Sequence, residues 1–319
     1  MAHNFAKLGG VASNVVVAKV AHGLMRMTWS QNPISDAEAF AAIKGGVDAL
    51  PSGVKMFLNS AEFYGPNLST ANLELLARFF DKYPDYADRT FLSVKGGSVP
   101  GHLVADGSRA NLRRSVDSIL KALRGTKRLD LFVPGRLDSK YEIEHYAVVL
   151  NEMVKEGKFD YIGLSTVDAV TIRRAHKVMP VVAVENGVSL QGYDQPTKDA
   201  IAACKELGIS IIAYSPLGRG MLTDQSTSHR GINFNRLFNR SSDNFLDALS
   251  TIASRKGITL AQLSIAWVGA LGDHVIPLPG SSNVKRTLEN LRAGDVELSV
   301  EDLAEIGLVL EKYRRKGSW

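Results

Sequence analysis

Two side chains in the first third of the chain can work as a pair to give up a proton: Tyr64 in "NSAEFYG" and Lys95 in "LSVKGG". The tyrosine follows the apolar run "KMFLN" by a few residues, and the lysine closes the run "TFLSVK". A phenol, with an ordinary pKa of about 10, is a poor base but a usable proton donor, and a neighbouring ammonium stabilises the phenolate it leaves. A lysine at the end of a buried strand is costly unless hydrated or paired, so Lys95 either snorkels to a rim or serves a partner. The stretch around the tyrosine opens with neutral Asn59, which can hydrogen-bond an amine without adding a charge beside it.

Apolar runs alternate with amphipathic ones along the whole chain. "KVAHGL" reads as a strand, and "SDAEAFAAIKGGVDAL" as a helix with a capping box of Ser35 and Glu38. The strands "KMFLN", "TFLSVK", "LDLFV", "FDYIGLS", "VVAVEN", "SIIAYS" and "DHVIPLPG" follow, separated by segments of helical period. The last helix before the tail runs from about Glu301 to Arg314. Eight near-continuously apolar strands, each followed by a helix, with no Pro/Gly/Ser-rich boundary near the middle, predict one domain over residues 1–319. That domain is a (β/α)8 TIM barrel with an extra C-terminal helix.

Strand C-termini face the site in such a barrel. They present Asn59, Lys95, then Gly135 and Arg136, Ser165 and Thr166, Glu185, Tyr214 and Ser215, and finally Gly280, Ser281 and Ser282. The irregular stretch "TDQSTSHRGINFNRLFNRSS" falls on the same side and is either a covering loop or plain surface. The segment "GSSNVKR" combines hydroxyls, expected free N–H groups and a helix N-terminus with Arg286, and reads as an anion site or an ordinary capped helix.

Composition narrows the function classes. The net charge of +5 is spread over 38 Lys and Arg among 33 acids, which argues against nucleic-acid binding and is compatible with an anionic small molecule. A lone Cys204 allows no internal disulfide, no histidine has a ligand-spaced partner, and no metal is expected. No apolar stretch approaches the roughly 20 residues that span a bilayer, so no membrane association and a cytoplasmic location are expected. No obligate protein partner is evident.

The ordered set "NSAEFYG", "FLSVKGG", "RLDLFVPGRLD", "YIGLS", "IIAYSPLGRGMLT" and "IPLPGSSNVKRTLENL" resembles the aldo-keto reductase superfamily. "NSAEFYG", "TANLELLARFFDKYP" and "FLSVKGG" are similar to its fungal pyridoxal reductase branch. The resemblance implies NADPH-dependent reduction of an aldehyde, pyridoxal above all, with Tyr64 as general acid and Lys95 as its electrostatic partner. It implies that Tyr214 stacks on the nicotinamide, that Ser165 with Thr166 or Glu185 holds the carboxamide, and that Ser215, Leu217 and Arg219 of "SPLGRG" cover the pyrophosphate. Gly280, Ser281, Ser282 and Arg286 are then expected around the adenosine 2′-phosphate, and Glu289 and Asn290 at the adenine.

Two departures accompany the resemblance, for most of the superfamily carries Asp where this chain has Asn59 and His where it has Gly135. An amide in place of the carboxylate is expected to leave Lys95 holding its proton less firmly. Gly135 removes a donor to the substrate carbonyl but leaves space, which suits a bulky aromatic aldehyde carrying its own ortho-hydroxyl donor. Trp29, Phe63 and Met27 are candidates for an apolar pocket wall, and Arg136 for an anionic substrate group or a rim pair with Asp138. A broad-specificity aldehyde or ketone reductase and a non-catalytic NADPH-binding regulatory barrel are the alternatives. Glu62 reads as a solvated loop carboxylate.

Overall fold

The computed structural model describes residues 5–30, 32–223 and 241–313. Most of the irregular stretch after "MLT" and the tail beyond Tyr313 lie outside them. Two short strands, β1 (Phe5–Lys7) and β2 (Val16–Ala18), form an antiparallel hairpin, an element the sequence pattern does not announce. Eight parallel strands follow: β3 (His22–Gly23), β4 (Met56–Ala61), β5 (Thr90–Gly96), β6 (Leu131–Pro134), β7 (Tyr161–Ser165), β8 (Val181–Gly187), β9 (Ser210–Tyr214) and β10 (Val275–Leu278). Each pairs with the next in chain order. The sheet returns on itself through a Gly23–Gly280 bridge and the bonds Ala21 N–H to Pro277 O (2.8 Å) and Gly23 N–H to Pro279 O (3.0 Å). Gly23 suits this seam because a Cβ there would press within 3.3 Å of the Gly280 Cα and the Pro279 carbonyl.

The first strand is shorter than "KVAHGL" suggests, since only His22 and Gly23 pair with β4. Elsewhere strand and helix positions match the pattern. Helices α1 (Met25–Thr28), α2 (Asp36–Asp48), α3 (Ala71–Lys82), α4 (Arg109–Leu123), α5 (Ile143–Lys155), α6 (Ala169–His176) and α7 (Gln195–Leu207) come between the strands up to β9. They are followed by α8 (Ser241–Arg255), α9 (Leu260–Gly269), α10 (Val284–Arg292) and α11 (Val300–Tyr313). Ser35 and Glu38 close the capping box at the start of α2.

The strands are buried on both faces because helices cover the outside and side chains fill the inside. Phe57, Phe91, Leu131, Val133, Ile212 and Ile276 pack the interior, with the Phe57 and Phe91 rings stacked at 5.3 Å. Ala6, Leu8, Ala12 and Val17 of the hairpin region join the same cluster, so the hairpin plugs the N-terminal mouth. The opposite mouth is left for the polar strand ends.

Candidate active site

At that mouth β4, β5 and β8 bring four polar side chains into one buried network. The parallel register sets Asn59 opposite Ser93 and Ala61 opposite Lys95, so the amide and the hydroxyl stand level. Lys95 Nζ donates to Asn59 Oδ1 at 2.6 Å and to Glu185 Oε2 at 2.7 Å. Asn59 Nδ2 donates to Glu185 Oε1 at 2.6 Å, and Ser93 Oγ donates to the same oxygen at 3.0 Å. Glu185 has no exposed side-chain surface, and Lys95 keeps 11%.

Burial by itself lowers an ammonium pKa, but the Glu185 carboxylate, together with the Tyr64 phenol, outweighs it and holds Lys95 above the ordinary lysine value. Neutral Asn59, expected to hold the Lys95 proton less firmly than a carboxylate in its place would, is joined at the amine by a carboxylate that the sequence reading did not place there. The missing charge comes from β8.

Tyr64 is buried, and its ring centroid lies 5.4 Å from Lys95 Nζ. A buried chain of hydrogen bonds fixes its backbone: Thr28 Oγ1 donates to the Tyr64 carbonyl (2.6 Å), Asn72 Nδ2 to Thr28 Oγ1 (2.8 Å), and Ser60 Oγ to Asn72 Oδ1 (2.6 Å). Glu62, read from sequence as a solvated carboxylate, is instead 8% exposed. Arg114 donates to its two oxygens at 2.6 and 3.4 Å, and Ser115 Oγ donates at 2.5 Å. Since Ser115 also accepts from Gly97 N–H, α4 clamps the loops after β4 and β5 together. No local pattern around Glu62 points to an arginine 52 residues away.

Trp29 stacks on Tyr64 (centroids 5.5 Å apart, 26° between planes), and Phe63 meets both rings edge-on. Met27 is fully buried core rather than pocket wall. A Cβ built on Gly135 would sit 3.7 Å from Phe63 Cζ and 3.8 Å from Lys95 Cβ, which places that position beside the Lys95 stem and leaves a Cβ accommodated there. Arg136 is exposed and donates to the Gly135 carbonyl at 2.6 Å. The expected rim pair with Asp138 is absent, because Asp138 instead accepts from the backbone of Gly107 and Lys140.

The rim from β7 to α10 carries the other predicted residues. The Ser165 and Thr166 hydroxyls lie 3.3 Å apart, and Thr166 Oγ1 is 3.3 Å from the Tyr214 hydroxyl. The Tyr214 ring lies against Gly187, where a Cβ would come within 3.1 Å of it. Thr166, Ser215 and Arg219 all have φ between 56° and 58°, the left-handed region that non-glycine residues seldom occupy. Leu217 is half-buried in the turn between Ser215 and Arg219.

Ser281 is buried and donates to the Asn283 carbonyl, beyond exposed Gly280 and half-buried Ser282. The N–H groups of Lys285 and Arg286, expected to be free, are capped by Asn283 Oδ1 at 3.0 and 3.3 Å. Glu289 accepts from Thr259 Oγ1, and Asn290 is buried. The Arg286 side chain is exposed and forms no ion pair among the described residues. Hydroxyls, an aromatic face, a strained backbone rim and an unpaired cation fit a nicotinamide dinucleotide. Among the described residues no His/Cys/Asp/Glu group could hold a metal, and no helix is long and apolar enough to cross a membrane.

The comparisons agree with this architecture. The model of the aldo/keto reductase family matches residues 19–311. Two curated relatives are "Probable pyridoxal reductase 2" of Schizosaccharomyces pombe, 34% identical with 95% of each chain covered, and "Putative pyridoxal reductase" of Saccharomyces cerevisiae, 32% identical with 96% of each covered. A glycerol dehydrogenase from Gluconobacter oxydans shares the fold, with TM-score 0.83 over 100% of this chain and 99% of that one at 18% identity. The chain thus belongs to the aldo/keto reductase family, as an oxidoreductase acting on carbonyl and CH–OH groups with a nicotinamide cofactor.

Proposed function

We propose that the protein uses NADPH to reduce an aromatic aldehyde, with pyridoxal as substrate and pyridoxine as product. The observation that carries this reading is the buried Tyr64 beside the Lys95 ammonium and against the Trp29 and Phe63 rings, with Gly135 next to Phe63 and the Lys95 stem. The names borne by the two fungal relatives support the same substrate.

Tyr64 acts as the proton donor to the carbonyl oxygen, and Lys95 stabilises the phenolate as it forms. Asn59 orients the amine. Trp29 and Phe63 hold the flat ring of the aldehyde, and the space at Gly135 admits its substituents, with Arg136 at the rim. Bound NADPH supplies the hydride. Ser165, Thr166 and Tyr214 hold its nicotinamide end, Ser215, Leu217 and Arg219 the pyrophosphate, Gly280, Ser281, Ser282 and Arg286 the 2′-phosphate, and Glu289 and Asn290 the adenine. The enzyme works in the cytoplasm without a protein partner; burial pushes the Cys204 thiol up to about 12 and keeps it inert in any case.

The test is consumption of reduced cofactor by purified protein with pyridoxal, comparing NADPH with NADH and wild type with Tyr64→Phe. Turnover that prefers NADPH and collapses in the variant supports the reading. Tight NADPH binding without turnover of any aldehyde would sink it in favour of a regulatory barrel. Equal kcat/KM for matched aromatic aldehydes with and without an ortho-hydroxyl would remove pyridoxal's special place and leave a broad-specificity reductase.

A further inference from the structure

We infer that Glu185 is the positioning residue of the proton-donating pair, a carboxylate delivered from across the barrel to hold the Lys95 ammonium beneath Tyr64. The inference rests on the reductase reading above and adds a residue to it. In the sheet β5 and β8 are separated by β6 and β7, so the Lys95–Glu185 bond spans the barrel interior rather than a strand pair.

Glu185 is committed to this task by its bonds. One oxygen accepts from Lys95, and the other from Asn59 and Ser93. Its side chain has no exposed surface. The ionisable groups facing the Lys95 amine are Glu185 from β8 and Tyr64 from the loop after β4; the other polar neighbour, Asn59, is neutral.

The same geometry explains the amide at position 59. A carboxylate there could accept from Lys95 as Asn59 Oδ1 does, but its second oxygen would face Glu185 Oε1 at the 2.6 Å now spanned by the Asn59 N–H. Two carboxylates at that distance, away from water, cannot both stay ionised. With the charge on β8, position 59 must donate to it, and Asn does so while still accepting from the amine.

The reciprocal exchange is therefore isosteric. Asn59→Asp with Glu185→Gln moves the charge to β4 and lets the new amide donate where the carboxylate accepted. The experiment compares wild type, Glu185→Gln and the double variant in two readouts: the pH profile of kcat/KM with pyridoxal and NADPH, and acetylation of Lys95 by acetic anhydride followed by peptide mass mapping. Removal of the carboxylate lowers the Lys95 pKa, so Glu185→Gln should shift the basic limb of the profile to lower pH. It should also acetylate Lys95 about tenfold faster at fixed pH for each unit lost. The double variant should return both readouts to near wild type.

An unshifted limb with unchanged labelling in Glu185→Gln, or a double variant as impaired as the single one, would overturn the inference. Labelling needs no turnover. A wild type without aldehyde reductase activity would defeat the reductase reading, while the labelling pattern still decides whether Glu185 governs Lys95.

Discussion

Among the described residues a buried lysine–carboxylate pair stands at each end of the barrel, and the two are built for different purposes. At the N-terminal end Lys127 Nζ meets Asp130 Oδ2 at 2.8 Å, three residues apart in sequence. The same oxygen accepts from Leu92 N–H at 2.7 Å, and the Asp130 carbonyl accepts from Tyr161 N–H at 2.8 Å, so the aspartate welds the starts of β5, β6 and β7. Lys95 and Glu185 are 90 residues apart, and their further bonds go to the side chains of Asn59 and Ser93. Burial outweighs Lys127 at Asp130 and raises its carboxyl above the usual range, whereas at Lys95 burial is outweighed by the Glu185 carboxylate together with the Tyr64 phenol. A pair tied into the backbone stabilises the frame. A pair tied only to side chains leaves an ammonium whose charge can serve a neighbour.

If this division is right, substitutions at the two ends separate rate from stability. Tyr64→Phe should lose about 10³-fold in kcat with cofactor affinity retained, measured by steady-state turnover and cofactor fluorescence. Lys127→Met should leave the rate per folded molecule unchanged but cost about 3 kcal/mol in a urea melt, since it strands a buried carboxylate. A rate loss in Lys127→Met comparable to that of Tyr64→Phe would erase the distinction.

His22 sharpens the comparison from the seam between the two. Burial presses its pKa down to about 4, against a smaller opposing effect of its bond to the Ser281 carbonyl. A depressed folded-state pKa means that the neutral ring's contribution is present above the unfolded value of 6.5 and is lost as pH falls through the folded one. Between pH 6.5 and about pH 5 the loss is about 2 kcal/mol. Urea midpoints across that range should flatten in His22→Gln, which keeps a donor for Ser281.

The smallest effect is expected at Gly135→His. A Cβ is accommodated there, so the variant should fold, and the imidazole should exclude part of a bulky ring and lower kcat/KM for pyridoxal about tenfold. A large gain for pyridoxal would show instead that the site lacks a donor more than it needs space.

Local chemistry was what the sequence made legible. Ser35 and Glu38 marked a helix start because a capping box closes within four residues, and the apolar runs located strands because burial on both faces leaves a contiguous signature. Strand ends then pointed to Asn59, Lys95 and Glu185, and Asn59 was expected beside Lys95, but the part Glu185 takes with them did not follow. It depends on barrel closure, which sets β8 opposite β4 and β5 through spacing no linear pattern encodes. Glu62 with Arg114, and Asp138 without Arg136, were misjudged for the same reason: sequence neighbours are not the nearest charges. The β1–β2 hairpin was invisible because three-residue strands carry too little periodicity.

The placement of Glu185 also bears on how the protein comes into being. Asn59, Ser93 and Lys95 leave the ribosome in the first half of the chain and Glu185 in the second, so neither half alone contains a charge-balanced centre. A fragment ending before β8 would carry a lysine without its counterion, and one beginning after β5 a glutamate without its cation. Each piece is electrostatically frustrated until the other docks, which makes the centre a fastener for the two halves. Reductase activity should therefore return in separately expressed halves only when the whole barrel reassembles.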